Sequence, residues 1–83
     1  MRAAGDEITG RVRRLVASVL EVEEDEVGPD ASFHDELEVD SLQKAEIVAR
    51  VEREFGVRVD VEAAAGLRSA ADVVVLVGAL DRS

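Results

Sequence analysis

A chain of 83 residues can build one modest hydrophobic core, and its net charge of −9, from 19 acidic against 10 basic side chains, excludes nucleic acid, whose phosphates need Lys and Arg. The absence of cysteine excludes disulfides and thiolate metal sites, and leaves the chain without a thiol of its own. No run reaches the ~18 apolar residues of a membrane span, the leading residues lack a signal peptide's apolar segment, and an apolar set of Val, Leu, Ala and Ile with only two Phe suits a small helical bundle.

The first predicted element covers residues 6–22. Ile8, Val12, Leu15, Val16, Val19 and Leu20 recur at helical spacing, and Asp6 and Glu7 favour its start. Arg11, Arg13 and Arg14 are expected on its solvated outer side. Residues 21–40 then hold ten acidic side chains and no Lys or Arg, and Gly28-Pro29 breaks any helix there. A long loop is predicted, pinned to the core by Phe33 and Leu37, with Val27 as a third anchor. Its acids resemble a calcium loop only superficially. Asp30, Ser32 and His34 alternate, but no Gly stands at the sixth position and Ser41 occupies the twelfth. His34 has no grouped partners for a metal or a catalytic base, and is expected to face solvent.

The second helix is predicted over residues 42–55. At ~100° per residue, Ile47, Val48, Val51 and Phe55 form one apolar stripe. Leu42, Ala45 and Ala49 lie opposite, with Glu46 and Arg53 beside them. The first stripe docks the helix on a core; the second is left for a partner. Asp40 precedes the helix as its N-cap, and Ser41 falls at the first helical position. Free backbone donors and the positive end of the helix dipole meet there, which suits a phosphate on the serine hydroxyl. Gly56 caps the other end.

Residues 57–61 alternate valines but have no strand partner, and are read as a link. Glu62-Ala63-Ala64-Ala65-Gly66 suits one short helical turn. Ser69-Ala70-Ala71-Asp72 has the spacing of a capping box and opens a last helix carrying Val73, Val74, Leu76, Val77 and Leu80. The predicted fold is all-α: three main helices plus one short helix, with a long loop between the first two. Residues 1–83 are expected to form one domain. The Met1 start and short ends point to a stand-alone protein.

Phe33, Asp35, Leu37, Asp40-Ser41-Leu42, Glu46 and Phe55-Gly56 stand together in the register of a known motif. The stretch resembles the core of acyl carrier proteins, and the likeness extends over residues 8–80. The resemblance implies that Ser41 receives 4′-phosphopantetheine from coenzyme A through a phosphopantetheinyl transferase, with Asp40 as the cap beside it. The thiol of that arm would hold acyl intermediates as thioesters. Leu42, Ala45, Glu46, Ala49 and Arg53 would meet partner enzymes, and Ala45, Ala49 and Ala63, Ala64 and Ala65 would leave room for an acyl chain in the bundle. A cytoplasmic monomer follows, itself not an enzyme, served by an acyltransferase and ketosynthase or by an adenylating enzyme.

The chain departs from the family pattern in ways that bear on its pathway. Glu38 replaces the usual Gly before the Val-Asp-Ser, so the turn forms without a permissive residue. Gln43 stands where an acid is frequent. Over residues 41–56, Lys44, Arg50 and Arg53 balance Glu46, Glu52 and Glu54. The negative charge therefore lies mostly in the preceding loop, which favours a discrete carrier of a dedicated polyketide-like pathway over a housekeeping fatty acid carrier. Two alternatives are an aminoacyl or peptidyl carrier of a nonribosomal peptide pathway, and an unmodified acidic interaction module. Serine hydrolase chemistry is set aside: Ser41 lacks a Gly-x-Ser-x-Gly elbow, and the only His lies seven residues away.

Overall fold

The computed structural model describes residues 4–81. It contains α1 (Ala4–Leu20), a 3₁₀ turn (Glu24–Glu26), α2 (Ser41–Phe55), the short α3 (Val61–Ala65) and α4 (Ala70–Asp81). No strand occurs among the described residues, and the three-plus-one helical bundle read from the sequence is what forms. α1 begins at Ala4 rather than Asp6 and ends at Leu20 rather than Val22. The expectation about a leader concerns residues 1–7, of which Met1, Arg2 and Ala3 lie outside the described residues.

The helical stripes meet in one core. Val12 and Val16 of α1, Ile47 and Val51 of α2, and Val73 and Val77 of α4 are all but fully buried. α1 is the central element, packing on both α2 and α4. The core consists almost wholly of small aliphatic side chains, with Phe33 as its one fully enclosed ring.

The acidic loop is fastened rather than loose. Val27 is fully buried and Phe33 is 3 % exposed, while Leu37 is only partly covered. Phe33 N–H donates to Arg68 O at 2.8 Å, and Ala71 N–H donates to Pro29 O at 2.8 Å, so the loop is laced to the start of α4. Arg13 does not face solvent as expected. Its guanidinium donates to Val27 O at 2.7 Å and Glu24 O at 3.1 Å, holding the carbonyls around the 3₁₀ turn. Arg11 is likewise engaged: it pairs with Glu54 at 3.0 Å and lies 4.5 Å over the Phe55 ring. Only Arg14 of the three keeps the expected exposed position without a partner among the described residues.

Three of the described residues take left-handed backbone: Gly56 (φ 65°), Glu21 (φ 59°) and Glu38 (φ 53°). α1 and α2 end the same way. The first residue beyond each helix turns left-handed, and the next N–H reaches back five residues: Val57 to Glu52 O at 3.2 Å, Val22 to Ala17 O at 3.0 Å. α2 uses the glycine that this turn favours; α1 uses Glu21. Glu38 makes the corresponding reversal just before α2, so the departure noted in the sequence is real backbone strain. A left-handed L-residue costs about 1–2 kcal/mol, while glycine loses about 0.5–1 kcal/mol through its freer unfolded chain. Glu38→Gly and Glu21→Gly are each expected to stabilise the fold by about 0.5–1 kcal/mol, read as a Tm rise of a few degrees. An unchanged or lower Tm in both would refute the strain.

The last helix opens differently from its prediction. Ser69 Oγ accepts from Asp72 N–H at 3.3 Å, as a capping box requires. The return bond misses Ser69: Asp72 Oδ2 accepts instead from Arg68 N–H at 2.9 Å. α3 also begins one residue earlier than read, at Val61, because Asp60 caps it by accepting from Ala63 N–H at 2.7 Å.

Candidate functional site

Asp40 sits in extended conformation at the N-cap of α2. Its Oδ1 accepts from Gln43 N–H at 2.7 Å, and Gln43 Oε1 accepts from Asp40 N–H at 3.1 Å. Two donors are thus satisfied reciprocally. Gln43, noted in the sequence only as a missing acid, is the second half of this clasp. Asp40→Ala is expected to cost about 1 kcal/mol, read by thermal unfolding, with amide exchange speeding up first in the opening turn of α2.

Ser41 is the first residue of α2 and is exposed, and its hydroxyl has no hydrogen-bond partner among the described residues. The Asp40 clasp takes the amide of Gln43 and leaves those of Ser41 and Leu42 facing outward at the positive end of the helix. The oxygen is therefore both reachable and in surroundings that favour an attached anion.

Two clefts open at Ser41. One, of about 610 Å³, runs between α2 and α3 along Ala45, Val48, Val61, Ala64 and Ala65. The other, of about 370 Å³, lies toward the acidic loop and the α3–α4 connection, beside Phe33, Lys44, Leu67 and Arg68. Of the small residues expected to leave room, Ala45, Ala64 and Ala65 line the first cleft. Ala63 packs partly against the core instead, and Ala49 lies on a separate depression with Arg53.

The outward face of α2 presents Leu42, 80 % exposed, with Ala45, Glu46, Ala49 and Arg53, all exposed. Val61 of α3, 85 % exposed, adds an apolar side chain beside the cleft at Ser41. Glu46 is bound to Arg50 at 3.2 Å, and Arg50 also donates to Ser18 Oγ at 3.1 Å. Arg11, Arg14, Arg50 and Arg53 surround a depression between α1 and α2. α2 is thus flanked by acid at its Ser41 end and by arginine towards its Phe55 end.

His34 rims the second cleft but is turned to Asp35, with Nδ1 3.1 Å from Oδ1. It makes no bond to Ser41, so the pair lacks the contact a base needs to activate a nucleophile. No group of residues suited to a metal ion exists among the described residues. Sequence reading missed two contributors to the site. Lys44 had a signal, standing three residues after Ser41 on the same helix. Arg68 had none, because only tertiary folding brings it there.

A family model described as a phosphopantetheine attachment site matches residues 10–77. The chain belongs to the acyl carrier protein family. It is 37 % identical over 81 residues to the meromycolate extension acyl carrier protein of Mycolicibacterium smegmatis, covering 98 % of this chain and 82 % of that one. It is 38 % identical over 76 residues to an acyl carrier protein of Rhodococcus erythropolis, covering 92 % and 84 %. The fold is similar to the solved acyl carrier protein of Enterococcus faecalis, with a TM-score of 0.76 at 23 % identity, over 94 % of this chain and 99 % of that one. As an acyl carrier protein, the chain is a substrate tether rather than an enzyme, and its prosthetic group is covalent 4′-phosphopantetheine. Acyl carrier proteins serve biosynthetic enzymes and receive the arm from a phosphopantetheinyl transferase. Among the described residues, no helix is long and apolar enough to cross a membrane.

Proposed function

We propose that Ser41 is the residue to which the 4′-phosphopantetheine is joined, through a phosphodiester on Oγ, and that the protein presents acyl intermediates of chain elongation to successive enzymes. The observation that carries this reading is the exposed, unpartnered Ser41 hydroxyl at the head of α2, with open clefts on both sides. When bound, the group supplies the thiol that the chain itself lacks, and holds the acyl chain as a thioester. The protein's own residues do the rest. Asp40 and Gln43 hold the first turn so that Oγ projects outward. The apolar cleft along Ala45, Val48, Ala64 and Ala65 offers shelter to a chain returning toward the bundle.

Leu42, Ala45, Glu46, Ala49 and Arg53 form the face that enzymes dock on, weakly enough for the carrier to leave. The split charge along α2 orients that docking more than it strengthens it. The charge pattern of α2 favoured a polyketide-like pathway, but we place a fatty acyl cargo above it, because the mycobacterial relatives are named for meromycolate extension. The setting is cytoplasmic and the carrier acts as a monomer, one domain presenting one arm.

Incubation with coenzyme A and a broad-specificity phosphopantetheinyl transferase tests the attachment. Intact mass is expected to rise by one phosphopantetheine, and fragmentation to place it on Ser41. No rise, or a rise on another residue, would refute it. Intact mass of the protein from its source reads the cargo directly, and an aminoacyl or peptidyl load would overturn the fatty acyl assignment.

A further inference from the structure

We propose that Lys44 and Arg68 hold the phosphodiester of the arm, giving it a docked resting position in the cleft between the start of α2 and the α3–α4 connection. The proposal rests on Ser41 as the attachment residue.

Lys44 is the only lysine of the chain. It stands three residues after Ser41, a spacing that makes helical side chains neighbours, and lines both clefts that open at the serine. Arg68 lines the cleft of about 370 Å³ together with Ser41 and Lys44. Its backbone is anchored on both sides: the N–H donates to Asp72 Oδ2 at 2.9 Å and the C=O accepts from Phe33 N–H at 2.8 Å. The residue is therefore fixed in place while its guanidinium has no partner among the described residues. The Lys44 ammonium has none either.

In so acidic a chain these two free cations are informative. Arg11, Arg13 and Arg50 are each held by a carboxylate, hydroxyl or carbonyl. The cleft does contain carboxylates, but both are directed elsewhere: Asp35 to the His34 ring at 3.1 Å, Asp40 to Gln43 N–H at 2.7 Å. Arg14, Arg53 and Arg58 also lack partners among the described residues, but none of them lines a cleft that opens at Ser41. A phosphodiester joined to Ser41 Oγ carries one permanent negative charge and would enter the cleft between Lys44 and Arg68. Charge-assisted bonds from ammonium and guanidinium to phosphate oxygens are the strong class of hydrogen bond. Both cations are partly open to water, so the bonds bias the arm without locking it, and it remains free to leave for an enzyme.

The test uses the holo-protein, with loading verified by mass. The ³¹P resonance of its phosphodiester is compared with that of a short Asp-Ser-Leu peptide carrying the same arm, and apo and holo amide spectra are overlaid. The protein resonance is expected to be displaced from the peptide's, with amide shifts at Phe33, Leu67 and Arg68. Lys44→Ala combined with Arg68→Ala should return the phosphorus resonance toward the peptide value and erase most of those amide shifts, the apo spectra showing an intact fold. Salt near 1 M, where the screening length is about 3 Å, should do the same to the wild type, whereas Lys44→Arg should keep the displacement. A phosphorus resonance that matches the peptide's, or that the double substitution leaves unmoved, overturns the docked arm while Ser41 stands. Absence of any mass gain removes the attachment itself, and this inference with it.

Discussion

Ser41→Ala is expected to abolish phosphopantetheine loading completely while leaving the fold intact. The two effects separate because the hydroxyl makes no hydrogen bond among the described residues, so its loss strands no partner there. Alanine is also a strong helix former, so the helix itself is not weakened by the change. A surface change of this kind falls within about 0.5 kcal/mol of neutral. Far-UV circular dichroism and Tm should match the unmodified protein, and the mass should not move however long the transferase acts. Other described serines are poor substitutes. Ser18 accepts from Arg50, Ser32 Oγ accepts from Asp35 N–H at 3.1 Å, and Ser69 accepts from Asp72 N–H. A Ser41→Ala protein that still gains one phosphopantetheine would end the assignment.

Phe33→Ala is expected to have the largest effect on stability. The ring is 3 % exposed in a core otherwise built of small aliphatic side chains. Truncating a buried Phe costs about 3–5 kcal/mol. A chain of this length has about 4–12 kcal/mol in total, at roughly 0.05–0.15 kcal/mol per residue. The variant should therefore sit near its unfolding threshold, with a urea midpoint far below the parent's and Tm lowered by tens of degrees, since each kcal/mol moves a domain of this size by about 4–8 °C.

The consequence reaches the site. Phe33 C=O accepts from Val39 N–H at 2.7 Å, immediately before the Asp40 cap, and Phe33 N–H ties the loop to Arg68. Losing the ring loosens the segment that aims Ser41, so loading should slow even where the variant remains folded. A loss of under about 0.5 kcal/mol, typical of surface changes, would mean that the ring does not anchor the loop.

Asp40→Ala differs from both in removing one cap while leaving the core and the hydroxyl in place. The three substitutions therefore probe the attachment atom, the loop anchor and the helix start separately.

The sequence by itself determined the helices, the cap and the position of the serine. These rest on short-range physics: side chains three and four residues apart share a helix face, and a cap acts on an amide three residues on. Asp40, Ser41, Gly56 and the buried stripe of Ile47 and Val51 were legible for that reason. Phe33 and Val27 were readable as anchors because a long acidic loop must spend its few apolar residues on the core.

Only the tertiary structure decided what depends on residues far apart in the chain. Arg13 leaves the solvated face because folding carries the carbonyls of Glu24 and Val27 to it, while Arg11 stays exposed but gains partners because Glu54 and Phe55 arrive beside it. The strain at Glu21 also had to be seen in the fold, since glutamate gives no local sign of left-handed backbone, whereas Glu38 was marked in advance by standing where the family has glycine. Arg68 reaches the site from a different connection, and the clefts on either side of Ser41 exist only once α2, α3 and the loop are assembled. Local rules place a side chain on its element; packing decides which charges find partners and which remain free to hold an attached group.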